Sequence, residues 1–189
     1  MDRTGTLHGD KPFASAQAGA TALAEGLRFD LTALVHAWLG GQRPNHGVLL
    51  RALAGDGTVR MASREGLEPG GSAAVVLELG WRDGTRSTLP AMLDVTLDCS
   101  TVKGLGTDKT LRVSDRVNTI VQFDLPQRAA KDLARAELRL LPDKLYGHSL
   151  TIGAFATEPP WLQGASTSVD GIAARYPRDI AKVGLFDAA

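Results

Sequence analysis

The chain is written in short runs that alternate apolar and polar residues and are cut apart by glycine and proline. Met92-Leu93-Asp94-Val95-Thr96-Leu97-Asp98 keeps a period of two. So do Ala136-Glu137-Leu138-Arg139-Leu140 and Ser149-Leu150-Thr151-Ile152-Gly153-Ala154-Phe155. A period of two sends successive side chains to opposite faces, which is the pattern of a half-buried strand. Residues 47–53, 58–63, 73–79, 110–114 and 118–125 read the same way. Gly55-Asp56-Gly57 predicts a hairpin between 47–53 and 58–63, and Pro44-Asn45 and Pro69-Gly70-Gly71 break the chain elsewhere. Many short strands with few helices predict an all-β fold, a jelly-roll-like antiparallel β-sandwich.

One segment departs from this pattern. Leu31, Leu34, Val35 and Trp38 fall at helical spacing, Leu39 widens the apolar face, Asp30 precedes them and Gly40-Gly41 follows. This predicts one short helix over about residues 30–40, with Asp30 as N-cap and the glycines as the stop. Trp38 then belongs to the core and His36 to the polar face. Residues 127–135 are rich in Ala, Lys and Arg and predict a helical turn or two. Residues 1–25 read as a loose leader, 81–90 as a polar connector marking an internal boundary, and 165–189 as a linker-like tail. The sandwich would then span 26–164, built from a segment at 26–80 and another at 91–164.

Charge and cysteine content narrow the function. Lys+Arg and Asp+Glu both number 21, so no excess positive charge is available to neutralise phosphates, and a nucleic-acid partner is not expected. No apolar run approaches ~18 residues, so membrane insertion is not expected, and the N-terminus carries no apolar signal-peptide core. Cys99 is the single cysteine; it excludes an internal disulfide and a Cys-rich zinc site, and reads as a small core residue. His8, His36, His46 and His148 form no metalloprotease pairing, His46 being a loop residue, and no nucleophile elbow or phosphate-binding loop occurs. Asp94 and Asp98 share a strand face by their spacing, and Asp115 lies near Asp124. These carboxylates read as solvated strand-edge charges, with catalysis or calcium as the competing reading.

A family resemblance adds to this reading. Phe29-Asp30-Leu31-Thr32-Ala33-Leu34-Val35-His36-Ala37-Trp38 is followed by Asn45-His46-Gly47-Val48-Leu49-Leu50-Arg51-Ala52, Ser63-Arg64-Glu65 and the 73–79 strand. This series resembles the C-terminal half of DNRLRE-domain modules, also classified as carbohydrate-binding module family 96. Residues 104–107, 110–113, 120–125 and 136–141 with Glu158-Pro159-Pro160-Trp161 resemble the N-terminal half of the same module. The likeness covers roughly residues 25–162, but its halves stand in swapped order. Either the chain begins inside one module and ends inside a second, or the halves close on each other as a permuted sandwich. Each half exposes an apolar sheet face that must be covered, so one compact domain is expected.

The resemblance implies a secreted, non-catalytic module that binds polysaccharide and is covalently linked to catalytic domains in a longer protein. It implies no cofactor, although calcium would fit such a sandwich. Trp81 reads as an exposed stacking residue beside Arg82, and Trp161 as a plug at the sandwich edge. Arg60, Arg64, Lys103, Lys109 and Arg112 suit the carboxylates of an acidic polysaccharide such as a uronate polymer. The alternatives are a structural spacer or adhesion domain with no glycan ligand, and a fragment of an enzyme.

Overall fold

A computed structural model describes residues 11–67, 71–98, 103–105 and 108–158. Their strands are β1 (Ala14–Ala18), β2 (Leu27–Asp30), β3 (Val48–Gly55), β4 (Thr58–Ala62), β5 (Val75–Trp81), β6 (Arg86–Pro90), β7 (Leu93–Asp98), β8 (Lys103–Leu105), β9 (Thr110–Val113), β10 (Val117–Gln122), β11 (Leu133–Leu140), β12 (Lys144–Tyr146) and β13 (Leu150–Ala156). Two helices accompany them, the single turn α1 (Ala22–Glu25) and α2 (Thr32–Leu39). The fold is an all-β antiparallel sandwich. Cys99, Trp161 and the 165–189 tail lie outside the described residues. Among the described residues no helix is long and apolar enough to cross a membrane.

The pairing is nested. The first strand pairs with the last, β1 with β13; moving inward, β2 pairs with β11, β3 with β10 and β5 with β6. These pairs alternate between a six-stranded sheet, β1-β13-β3-β10-β7-β8, and a four-stranded sheet, β2-β11-β5-β6. An antiparallel ribbon folded over itself in this way is the jelly-roll arrangement, and it lets each sheet bury one face against the other. A third sheet, β12-β4-β9, carries Val59, Met61, Leu111 and Val113 into the same core.

The two segments are interleaved. β3 lies between β10 and β13, β4 lies between β9 and β12, and β11 lies between β2 and β5. The core is accordingly shared. Val48, Leu50 and Phe29 from the first segment pack with Val121, Ile152 and Leu138 from the second. The six-stranded sheet is apolar on its other face too, where Phe155, Leu49, Ile120 and Val95 form a cross-strand row over four strands.

A pair of threonines joins the small sheet to the large one. Thr96 and Thr119 are cross-strand partners on β7 and β10, and neither is solvent-accessible. Thr96 Oγ1 accepts the Arg112 N–H at 3.2 Å, and the Thr119 hydroxyl donates to the Arg112 carbonyl at 2.8 Å. The open edge of β9 is thereby satisfied without water, as buried backbone groups require.

Several expectations change. Gly55-Asp56-Gly57 is not a hairpin turn but a corner between sheets. Both edges of β3 are occupied by β13 and β10, so β4 must pair elsewhere. Gly55 takes φ of 100°, and a Cβ there would stand 2.3 Å from the Ser149 carbonyl oxygen. The 81–90 connector is a hairpin instead: β5 runs on to Trp81, and β6 returns after a turn at Asp83-Gly84. Within the expected leader, β1 adds to β13 at the edge of the large sheet. The 127–135 stretch holds one 3-10 turn at Ala130–Asp132 before β11 begins. β1, β2, β6, β8 and β12 were not legible as strands.

The helix sits where expected, with Leu31, Leu34, Val35 and Trp38 buried and His36 exposed. Its N-cap position is Leu31, but the Asp30 carboxylate still accepts the Thr32 amide at 2.9 Å and the Thr32 hydroxyl at 2.7 Å. Thr32 Oγ1 in turn accepts the Ala136 N–H at 3.0 Å, closing the gap where β2 leaves β11.

Two results are expected. Residues 92–165 made alone lack the partners of β9, β11, β12 and β13 and should show no cooperative thermal transition and no dispersed amide spectrum. Thr119→Val orphans a buried carbonyl and should cost roughly 1–3 kcal/mol in urea unfolding.

Candidate functional site

The outward face of the four-stranded sheet is charged in rows. Alternation turns Leu77, Leu79, Leu138 and Leu140 into the core, and therefore turns their neighbours outward. Asp30, Glu137, Glu78 and Thr88 align across β2, β11, β5 and β6 in one row. On one side lies a row holding Arg28 and Arg139; on the other, Arg135, Gly80 and Arg86. Three carboxylates thus lie between two pairs of arginines.

The ion pairs follow that layout. Glu137 uses one oxygen for Arg28 and the other for Arg135, while Arg139 reaches Glu78 at 3.3 Å. Hydrogen bonding and charge from Glu137 push the Arg28 guanidinium further up. Hydrogen bonds from the Thr32 hydroxyl and amide hold the Asp30 carboxyl below its ordinary value. Arg86 has no ion pair among the described residues.

Over these rows lies an open groove of about 620 Å³, lined by Arg28, Glu78, Gly80, Arg86, Arg135 and Glu137 among others. That volume falls within the ~300–1,000 Å³ of small-molecule sites. Gly80 makes its floor. It does not have a positive φ, and a Cβ there would meet nothing closer than 3.9 Å. Neither backbone conformation nor crowding demands glycine at this position; its effect is to leave space between Arg135 and Arg86. Those two residues stand two strands apart, roughly 10 Å between backbones.

Trp81 is at the end of this groove but is not a stacking platform. It is 3% exposed, and its indole N–H donates to Ser87 Oγ at 3.0 Å. The Arg128 guanidinium covers the ring, 4.3 Å from its centroid, and pairs with Asp83 at 2.7 Å. Hydrogen bonds from Thr85, then from Arg128, hold the Asp83 carboxyl well below the usual carboxylate range. The tryptophan points inward because positions 75, 77, 79 and 81 share one strand face, a continuation hidden when Gly80 is read as the strand end.

The other sequence candidates do not converge on one site. Arg60 and Arg112 are cross-strand partners on the outer face of the small sheet, with Lys144 beside Arg60 and the exposed Tyr146 beyond it. Arg60 is held by Asp143, with Nε to Oδ1 at 3.0 Å; this contact raises the guanidinium pKa and lowers that of the carboxyl. Arg64 lies in a 3-10 turn, Arg64–Gly66, and bonds Glu65 and the Met92 carbonyl. Lys109 abuts the same turn, its carbonyl accepting the Ser63 N–H at 3.1 Å. Lys103 lies in β8, at the far edge of the six-stranded sheet, and its side chain is outside the described atoms. Asp94, read from the sequence as a solvated strand-edge charge, is instead buried and its Oδ2 accepts the Arg64 N–H at 2.8 Å; the Asp98 side chain lies outside the described atoms.

Arg28, Arg86 and Arg135 were missed. The signal was available for Arg135: it precedes Glu137 and Arg139 at intervals of two, opposite the leucines. Among the described residues, no group of three His, Cys, Asp or Glu is placed to hold a metal ion. Compared with protein families, curated proteins and solved structures, the chain gives no match.

Because Gly80 borders open space, Gly80→Val should leave the fold intact and raise stability by up to about 1 kcal/mol through better strand propensity. Urea unfolding checks this; a large loss would mean that the glycine serves the fold instead.

Proposed function

We propose that this chain is a non-catalytic carbohydrate-binding module that takes an acidic polysaccharide in the groove over the four-stranded sheet. The supporting observation is the space above Gly80 with Arg86 and Arg135 on either side. A guanidinium offers two parallel N–H donors to a carboxylate, a fit that lysine cannot reproduce. Thr88, in the outward row along the groove, supplies a hydroxyl partner for a sugar. The ordered resemblance to DNRLRE-domain modules supports the same reading, with the module acting outside the cell and tethering a linked polysaccharide-active domain to its polymer.

The carboxylates of the groove favour binding over hydrolysis. A glycosidase needs two carboxyl groups open to the scissile bond, about 5–5.5 Å or 6.5–9.5 Å apart. Both oxygens of Glu137 are engaged by arginines, and Glu78 is engaged by Arg139.

Calorimetry and affinity electrophoresis against alginate, polygalacturonate and neutral glycans should find an acidic binder whose affinity falls with added salt. Arg86→Gln should weaken binding about tenfold or more, and Gly80→Val should abolish it. Silence across the panel would sink the proposal in favour of a spacer or adhesion domain.

A further inference from the structure

Three cations stand in one row on the outer face of the small sheet. Val59, Met61, Leu111 and Val113 point into the core, so alternation turns Arg60 and Arg112 outward. Lys144 of β12 is the cross-strand partner of Arg60 on β4, and Arg60 is the partner of Arg112 on β9. Partners of this kind hold their Cβ atoms about 4.5–5.5 Å apart, and like charges so placed are unfavourable. Here that contact is made twice in succession. The backbone keeps the row in place, since the Arg112 N–H and carbonyl are tied to Thr96 and Thr119 of the large sheet.

One carboxylate serves the row. Asp143 accepts from Nε and Nη2 of Arg60, which orients that guanidinium and leaves its Nη1 unused. Arg112 has no ion pair among the described residues, and its Nε is enclosed without a hydrogen-bond partner. Lys144 is exposed. Three cations against one carboxylate leave a surplus of two positive charges. The next outward row pairs Tyr146 with Thr58, and the Tyr146 side of it is open, the residue being 50% exposed. On the other side, Thr110 stands opposite Ala62.

We propose that this face is a second ligand site, which takes a sugar carrying a phosphate or sulfate ester: the oxyanion sits between Arg60, Arg112 and Lys144, and the sugar ring lies against Tyr146. Lys144 and Arg112 are two strands apart, roughly 10 Å between backbones, a span that long side chains close over an ion above Arg60. A tetrahedral ester group presents three acceptor oxygens to three separate donors, where a carboxylate has two. A phosphate monoester carries about −1.5 to −2 near neutral pH, which matches the surplus of the row. Tyrosine offers a flat apolar ring with a polar tip, suited to the face of a sugar. None of these residues lines the groove over the four-stranded sheet, so the site does not rest on the reading of that groove.

Amide spectra of the full chain, titrated with glucose-6-phosphate and glucose-6-sulfate at constant ionic strength set by sodium chloride, test the proposal. Saturable shifts should appear on β4, β9 and β12. Inorganic phosphate and sulfate should move the same amides with weaker affinity, and glucose should move none. Arg112→Gln and Lys144→Gln should each weaken ester binding about fivefold or more, with dispersed spectra confirming their fold. Tyr146→Ala should remove the advantage of the esters over the free ions. No saturable shift with either ester, binding that survives both cation variants, or equal affinity for ester and free ion in the wild-type chain would overturn the proposal.

Discussion

The structure depends on backbone pairing between distant parts of the chain. No sheet could close from residues 26–80 alone, because β3 and β4 each need two partners from beyond residue 90, and β2 and β5 meet only through β11. These ladders bring the apolar faces of both segments into one core. They also decide where polar groups must be buried. The threonine pair Thr96 and Thr119 is placed where the exposed edge of β9 would otherwise lack partners.

The same interleaving makes the groove. Its arginines come from β2, β6 and β11, which are distant in sequence but adjacent across the four-stranded sheet. Like charges directly opposite each other are unfavourable on a sheet. Here the acidic row is flanked on each side by arginines, and the cost is offset by Arg28 and Arg135 sharing Glu137. What distinguishes the row of Arg135, Gly80 and Arg86 is that it contains no carboxylate and no side chain at its centre, so its cationic character faces an empty space.

Burial gives two carboxyl groups different settings within one fold. Asp83, on the surface with Thr85 and Arg128 donating to it, is held ionised. Asp94 is enclosed, and burial pushes its carboxyl up to about 6. The first secures the β5–β6 turn and, through Arg128, the cover over Trp81.

Much of the secondary structure was legible in the sequence. Period-two alternation identified β7, β11 and β13, and helical spacing identified α2 together with its buried Leu34, Val35 and Trp38, because both signals arise from which face is wet. The short edge strands β1, β6 and β12 carried too little alternation to register. The site was largely illegible. Trp81 looked exposed because its neighbours in sequence are polar, yet its neighbours in space are Ser87 and Arg128. The sequence by itself determined the all-β class, the helix and the strand faces, since these follow from local periodicity. Only tertiary structure decided that Gly55 turns a corner, that Asp94 meets the Arg64 N–H, and that Arg86 and Arg135 flank Gly80, because cross-strand register is set by partners tens of residues away.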